Sequence, residues 1–190
     1  DYQKTLKEAF KSEVQKLKNI PEEHAHLILE MKDQGLELAS MVMEALSLKF
    51  PEYTVVSAEE SINVPIENAP ASYGYKGFLD LVIKTPDGKY HIIDWKSCSW
   101  GWDIERKTDK ITTYQLTYYK NFFCQKHNVE PEMVETYFGL LKRTAKKNKI
   151  EIFRVSSGPR KIKNALNILN QAVYNIHNKN HVKNKLKCKK

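Results

Sequence analysis

An α/β domain with a mixed central sheet flanked by helices is the fold class this 190-residue sequence predicts. Three observations predict it. Helical hydrophobic spacing occupies both ends and one interior stretch, segments rich in β-branched residues lie between them, and "KTPDG" at residues 84–88 joins two apolar runs as a tight turn. With 41% hydrophobic residues the chain can bury one core, so a single domain is expected over 1–178. Its parts are an N-terminal helix at 1–20, a core at 22–156 and a C-terminal helix at 159–178, followed by a basic tail at 179–190.

The first helix rests on Leu6, Phe10, Val14 and Leu17 at helical spacing, with Pro21 closing it. A longer one follows from Glu22 to about Phe50, carried by Leu27, Leu38, Val42, Ala45 and Leu46, with Gly35 as a break and Pro51 as a stop. "YTVVSAEESINVPI" changes the period and reads as one or two strands, and "ENAPASYGYK" reads as a loop. "GFLDLVI" and "KYHIIDWKS" form a hairpin around "KTPDG", and "CSWGWDIERK" is an aromatic and charged loop. "DKITTYQLTYYKNFFCQKHN" is a helix with Ile111, Leu116, Tyr119 and Phe123 near one side. "EMVETYFGLLKR" and "IEIFRVS" return to strand, Gly158 and Pro159 punctuate, and "KIKNALNILNQAVYNIH" is an amphipathic helix. The last twelve residues hold six lysines and no acid.

A formal charge of +8 favours a polyanionic partner, because lysine and arginine release counterions from phosphates. Cys98, Cys124 and Cys188 are odd in number and far apart, which argues against a disulfide framework or a CxxC metal site. No apolar run approaches ~18 residues, and "DYQKTLKEAF" lacks the features of a secretion signal. A soluble protein of a reducing, cytoplasmic compartment is expected, not secreted and not in a membrane. The start at Asp1 without methionine is what an excised part of a longer chain would show, and the lysine and asparagine content suits an AT-rich bacterial or viral genome.

Proline, aspartate and glycine in "TPDG" suit a type I turn followed by a left-handed residue. The register then runs Lys84 to Tyr90, Val82 to Ile92 and Asp80 to Asp94. A two-residue turn at Asp87 and Gly88 would instead send the two carboxylates to opposite faces. In the first register Leu79, Leu81, Ile83, Ile93 and Trp95 share an apolar face, and Asp80, Asp94 and Lys96 share the other. Opposed strand residues have β-carbons roughly 4.5 to 5.5 Å apart, so two ionised carboxylates there repel unless something neutralises them. A divalent cation such as Mg²⁺ would do so, and a lysine ammonium filling the gap would leave no room for one. The plainer alternative is an exposed charge cluster with Lys96 offsetting the acids.

"GFLDLVI" followed by "IIDWKS" resembles the core of the PD-(D/E)XK nuclease superfamily, with Asp on one strand and Asp-x-Lys on the next. Leu79 stands where that family often has proline. "QLTYY" places Gln115 and Tyr119 in a Gln-x-x-x-Tyr arrangement similar to the RecB-type branch. The similarity spans roughly Gly35 to Leu141. It implies a nuclease-like domain with a restriction-endonuclease-like core. By the same resemblance Asp80, Asp94 and the Trp95 backbone carbonyl would be metal ligands for Mg²⁺ or Mn²⁺, Lys96 the catalytic lysine, and Gln115 and Tyr119 holders of the substrate strand. The family usually adds an acid or histidine from the first core helix. Here no histidine falls there, Glu37 is the first choice and Glu60 the second, and a single-metal scheme follows if neither reaches the site.

The implied activity is metal-dependent hydrolysis of DNA, single-stranded or at duplex ends, exonuclease-like, in repair, recombination or replication, with a helicase or recombination protein as a partner. Trp100, Trp102, Arg106, Lys107 and Lys110 just past the site could stack on bases and contact phosphates, Lys107 and Lys110 being the named nucleic-acid contacts, or equally form a partly buried loop with a solvated charge run. A catalytically inactive nucleic-acid-binding or helicase-docking module is the alternative function.

Overall fold

The turn at Thr85–Gly88 forms as its residues dictate. Gly88 sits in the left-handed region at φ +85°, its N–H donates to the Thr85 carbonyl at 2.9 Å, and the Thr85 N–H donates to the Lys89 carbonyl at 3.0 Å. A side chain with a β-carbon is strained at that φ, which is why glycine follows the aspartate. The computed structural model describes residues 2–16, 21–70 and 72–181. Leu17 and most of the basic tail lie outside the described residues.

The elements in chain order are α1 (Tyr2–Lys16), α2 (Ala25–Lys49), β1 (Thr54–Pro65), β2 (Gly74–Lys84), β3 (Tyr90–Cys98), α3 (Ile104–Thr108), α4 (Lys110–His127), β4 (Val134–Lys142), β5 (Ile150–Arg154) and α5 (Pro159–His177). The strands form one sheet in the order β1-β2-β3-β4-β5. β3 and β4 pair in parallel and the other neighbours antiparallel, so the sheet is mixed. A parallel pair needs a crossover, and α3 and α4 supply it, which stations α4 over the strand that carries Asp94 and Lys96.

The two faces hold separate cores. On one, Ile83, Ile93, Leu81 and Trp95 pack with Leu46 and Phe50 from α2 and its end. On the other, Val82, Ile92, Phe138 and Leu140 pack with Leu116, Phe122 and Phe123 of α4, and α5 closes behind α4 with Val173. Each of the fully buried phenylalanines stabilises the fold by roughly 1.5–3 kcal/mol relative to exposure.

The hairpin register is the expected one, Lys84 opposite Tyr90 and Val82 opposite Ile92. Its ladder ends at Leu81 and Ile93, one residue short of the aspartates. That local break corrects one expectation: Leu79 is buried on the α4 side rather than with Leu81 and Ile83 on the α2 side. Across from Asp80, Glu59 of β1 adopts φ +51°, so both strands depart from regular geometry at this level.

Four other readings change. "CSWGWDIERK" contains α3, started by Asp103, whose carboxylate accepts the Arg106 N–H at 2.7 Å. β2 begins at Gly74, inside the segment read as loop. Gly35 does not break α2, which runs unbroken from Ala25 to Lys49 because one interior glycine costs a helix only about 1 kcal/mol. Ile111 is 68% exposed, whereas Leu116, Tyr119 and Phe123 are buried.

Candidate active site

Asp94 lies midway along β3, in the parallel pair with β4, and is 2% exposed. Two residues on, Lys96 returns to the same face, and its Nζ lies 2.7 Å from Asp94 Oδ2. From α4 above, the Gln115 amide donates to Asp94 Oδ1 at 3.1 Å and to the Tyr119 hydroxyl oxygen at 2.9 Å. Residues four apart lie one above the other on a helix, so Gln115 and Tyr119 reach down together. Asp80 comes from β2: its Oδ2 accepts the Trp95 N–H at 2.7 Å, taking the place of the missing ladder rung. In a strand the N–H and C=O of one residue point to the same side, so the Trp95 carbonyl also faces β2 and Asp80.

Burial pushes the Asp94 carboxyl above the usual carboxylate range; Lys96 offsets part of that, and the negative charge of Asp80 adds to it. Apart from the Lys96 ammonium, Oδ2 of Asp94 is a buried oxygen with no hydrogen-bond partner of good geometry. Burial together with Asp94 and Asp80 likewise raises the Tyr119 phenol, which stays protonated at neutral pH and keeps a hydrogen to donate. The Lys96 side chain is 31% exposed, so the ammonium reaches Asp94 from the solvent side. A long lysine chain there can withdraw toward water, whereas the aspartate cannot.

The atoms able to ligate a cation here, the Asp80 and Asp94 carboxylates and the Trp95 carbonyl, are all oxygens, the set that Mg²⁺ and Mn²⁺ favour, and Mg²⁺ commonly keeps several waters beside one or two carboxylates. Asp80, Asp94 and the Trp95 carbonyl therefore fit such an ion, and Asp94 Oδ2, whose close partner is the partly exposed Lys96 ammonium, is the atom with most to gain from it. No third acid joins them: among the described residues no group of three or more His, Cys, Asp or Glu is placed to hold a metal.

The structure does not bring Glu37 or Glu60 to this point. Glu37 leaves α2 toward the turn before β5 and pairs with Lys149. It thus lies on the α2 side of the sheet, opposite the face of Asp94. Glu60 accepts from Lys126 at 2.7 Å and pairs with His127 at 2.6 Å at the far end of α4, with Ser57 as a third partner. Gln115 and His127 are twelve residues apart, about 18 Å along a helix, so Glu60 is remote from Asp94.

The loop past β3 divides. Trp102 is buried against Phe138 with ring centroids 5.1 Å apart, Arg106 stacks over it at 4.4 Å, and Trp100 is 71% exposed. Lys107 is tied to Glu151, which also holds Lys142 at 3.2 Å, while Lys110 is exposed. The buried Lys142 with Glu151 and Lys107 forms a second charge cluster beside the site that the sequence reading missed. Its signal was weak, since an alternating strand such as "IEIFR" ordinarily puts its acid in solvent.

No curated protein matches the chain. Among solved structures, the protein from Eubacterium rectale named "Putative exonuclease" is similar at 15% identity and a TM-score of 0.52, covering 80% of this chain and 55% of that one. This chain therefore spans about half the length of that protein, and the likeness speaks for the fold. A second structure, SSO0001, is 13% identical with a TM-score of 0.36 over 89% of this chain and 83% of that one, too loose to carry an argument. The sequence model of the PD-(D/E)XK nuclease superfamily matches residues 2–189, nearly the full chain, including the strands and helix that assemble Asp80, Asp94, Lys96 and Gln115. The chain belongs to the PD-(D/E)XK nuclease superfamily.

Proposed function

We propose that this protein is a deoxyribonuclease of the RecB-type branch, dependent on one Mg²⁺ or Mn²⁺ ion, that hydrolyses phosphodiester bonds from DNA ends. One observation carries the reading: a carboxylate only 2% exposed, Asp94, is met among the described residues by no charge of opposite sign except the partly exposed Lys96, with a second aspartate beside it. Such a group is costly in a purely structural role, because an ionised carboxylate away from water needs full pairing.

A divalent ion bound by Asp80, Asp94 and the Trp95 carbonyl would supply a Lewis acid for a phosphate oxygen and lower the pKa of water. The chain's own residues do the rest. Lys96 places a positive charge where a pentavalent phosphate gathers negative charge. Gln115 holds Asp94 in place through Oδ1, and the Tyr119 hydroxyl, accepting from Gln115, offers its hydrogen to the substrate strand. Trp95, packed on the α2 side, anchors the strand between the two charged residues.

The test is cleavage of end-labelled single- and double-stranded DNA with Mg²⁺, Mn²⁺ or EDTA. Cleavage is expected with metal only, releasing short products from ends, and Asp94→Ala or Lys96→Ala should lower the rate at least about 100-fold, as for loss of a group stabilising transition-state charge. Cutting in EDTA, or undiminished cutting by either variant, refutes the mechanism.

A further inference from the structure

Where α4 and α5 begin, a cavity of about 510 Å³ is walled by Lys110, Arg160, Lys161 and Tyr114, with neutral groups such as Ser156 and Asn164 and no carboxylate. Three other cavities carry both signs, with Glu132 near Lys120, Glu37 near Lys149, and Asp87 near Lys89. No ion pair among the described residues includes Lys110, Arg160 or Lys161. Asp109, next to Lys110, directs its carboxylate to the Thr112 N–H at 2.7 Å. Lys161 is partly withdrawn from water, and its ammonium donates to the Ser156 carbonyl at 3.2 Å. Burial without a counter-charge also lowers its pKa. Three cations around a concave space without an acid are an arrangement that an incoming anion relieves.

The place of the cavity says which anion. Tyr114 immediately precedes Gln115, whose amide holds Asp94, and Lys110 lies five residues before it, about 7.5 Å along the helix. Tyr114 is half-buried in the wall, a flat ring of the kind on which an unpaired base stacks. A duplex, its bases already stacked and paired, cannot present one to such a hollow.

We propose that this cavity is a second strand-binding subsite: a phosphate of single-stranded DNA sits on Lys110, Arg160 and Lys161, and the attached base lies on Tyr114, on the same helix as Gln115. That the subsite serves a strand being cut rests on the nuclease reading above; the binding itself does not.

The experiment is fluorescence anisotropy of a labelled oligothymidylate with the full chain in EDTA, across a salt series. Removing two cations with Arg160→Gln/Lys161→Gln is expected to weaken binding about tenfold and to flatten log K against log salt by about 1.4, two single-strand contacts of ~0.7 each. Tyr114→Leu should weaken binding about fivefold with the salt slope unchanged. Lys146→Gln/Lys147→Gln, on the α2 side, removes the same charge and should alter affinity by less than about twofold. An unchanged slope in the first double variant, or an equal loss in the second, overturns the subsite. If the unaltered chain binds through the cavity yet cuts nothing with metal, the nuclease reading falls and the subsite stands. Metal-dependent cutting with an unchanged slope refutes the subsite alone.

Discussion

Asp94 is the residue whose surroundings most constrain its chemistry. Its folded pKa lies above that of an ordinary aspartate because it is buried, so the stability tied to it is fully present below the unfolded pKa and declines as the pH rises through the folded one. At neutral pH and without metal the ionised group therefore works against folding. Asp94→Asn should raise the melting temperature in EDTA by about 2–4 °C at pH 7, with the difference from the unaltered chain shrinking toward pH 4, read by differential scanning fluorimetry. In the unaltered chain, a tenfold excess of Mg²⁺ over its dissociation constant should add about 1.4 kcal/mol, and nothing in the variant. A variant melting lower in EDTA at pH 7 would contradict the assignment of Asp94 as a desolvated, under-paired carboxylate. Gly139 is the second decisive residue. A β-carbon there would lie 2.2 Å from Cε3 of Trp95, so the indole lies flat across β4 only because position 139 has no side chain. Gly139→Ala should cost about 1–3 kcal/mol by overpacking. Trp95→Leu in the same chain should recover part of that loss in urea melts, and no recovery would show that the contact is not the cause.

At the scale of elements, α4 is held at both ends. Its first turns reach β3 through Gln115, and its last turn clamps β1 through Glu60, Lys126 and His127. Burial alone would raise the Glu60 carboxyl, but hydrogen bonds from Lys126, Ser57 and His127 bring it down to about 2 from 4.5. A lowered carboxylate stabilises above its unfolded pKa and loses that contribution as the pH falls through its folded one. Glu60→Gln should therefore destabilise the fold by about 2 kcal/mol at pH 7, with the gap closing between about pH 4.5 and 2, measured by urea titration at several pH values. A pH-independent gap would mean that packing, not charge, holds the clamp. The hairpin is the element most legible in the sequence. "TPDG" encodes a turn, the turn sets a register, and the register places the residues of one strand against those of the next. Less legible was α3, because a five-residue helix offers only its cap as a signal.

For the whole molecule, the hairpin register with alternation along β2 and β3 was enough to put Asp80, Asp94 and Lys96 on one face before any coordinates, since each rule is local, and the resemblance to the nuclease family added Gln115 and Tyr119, four residues apart on one helix. The same rules misplaced Leu79, because a ladder that stops at Leu81 breaks the alternation on which they rest. They could not choose among the acids of α2 and β1 either. Which way Glu37 and Glu60 face depends on how a helix is rotated over the sheet and which lysine waits there, and both acids turned out to be engaged elsewhere. Nor could they foresee that Lys107 would be neutralised by Glu151, 44 residues later, or that Lys110, Arg160 and Lys161 would meet across two helix starts. The sequence by itself thus determined the fold class, the hairpin register and the charged trio around Asp94, because turn chemistry and periodicity act within a few residues. The tertiary structure alone decided which charges are paired and which are left facing a cavity, because pairing depends on distances between elements that no local pattern records.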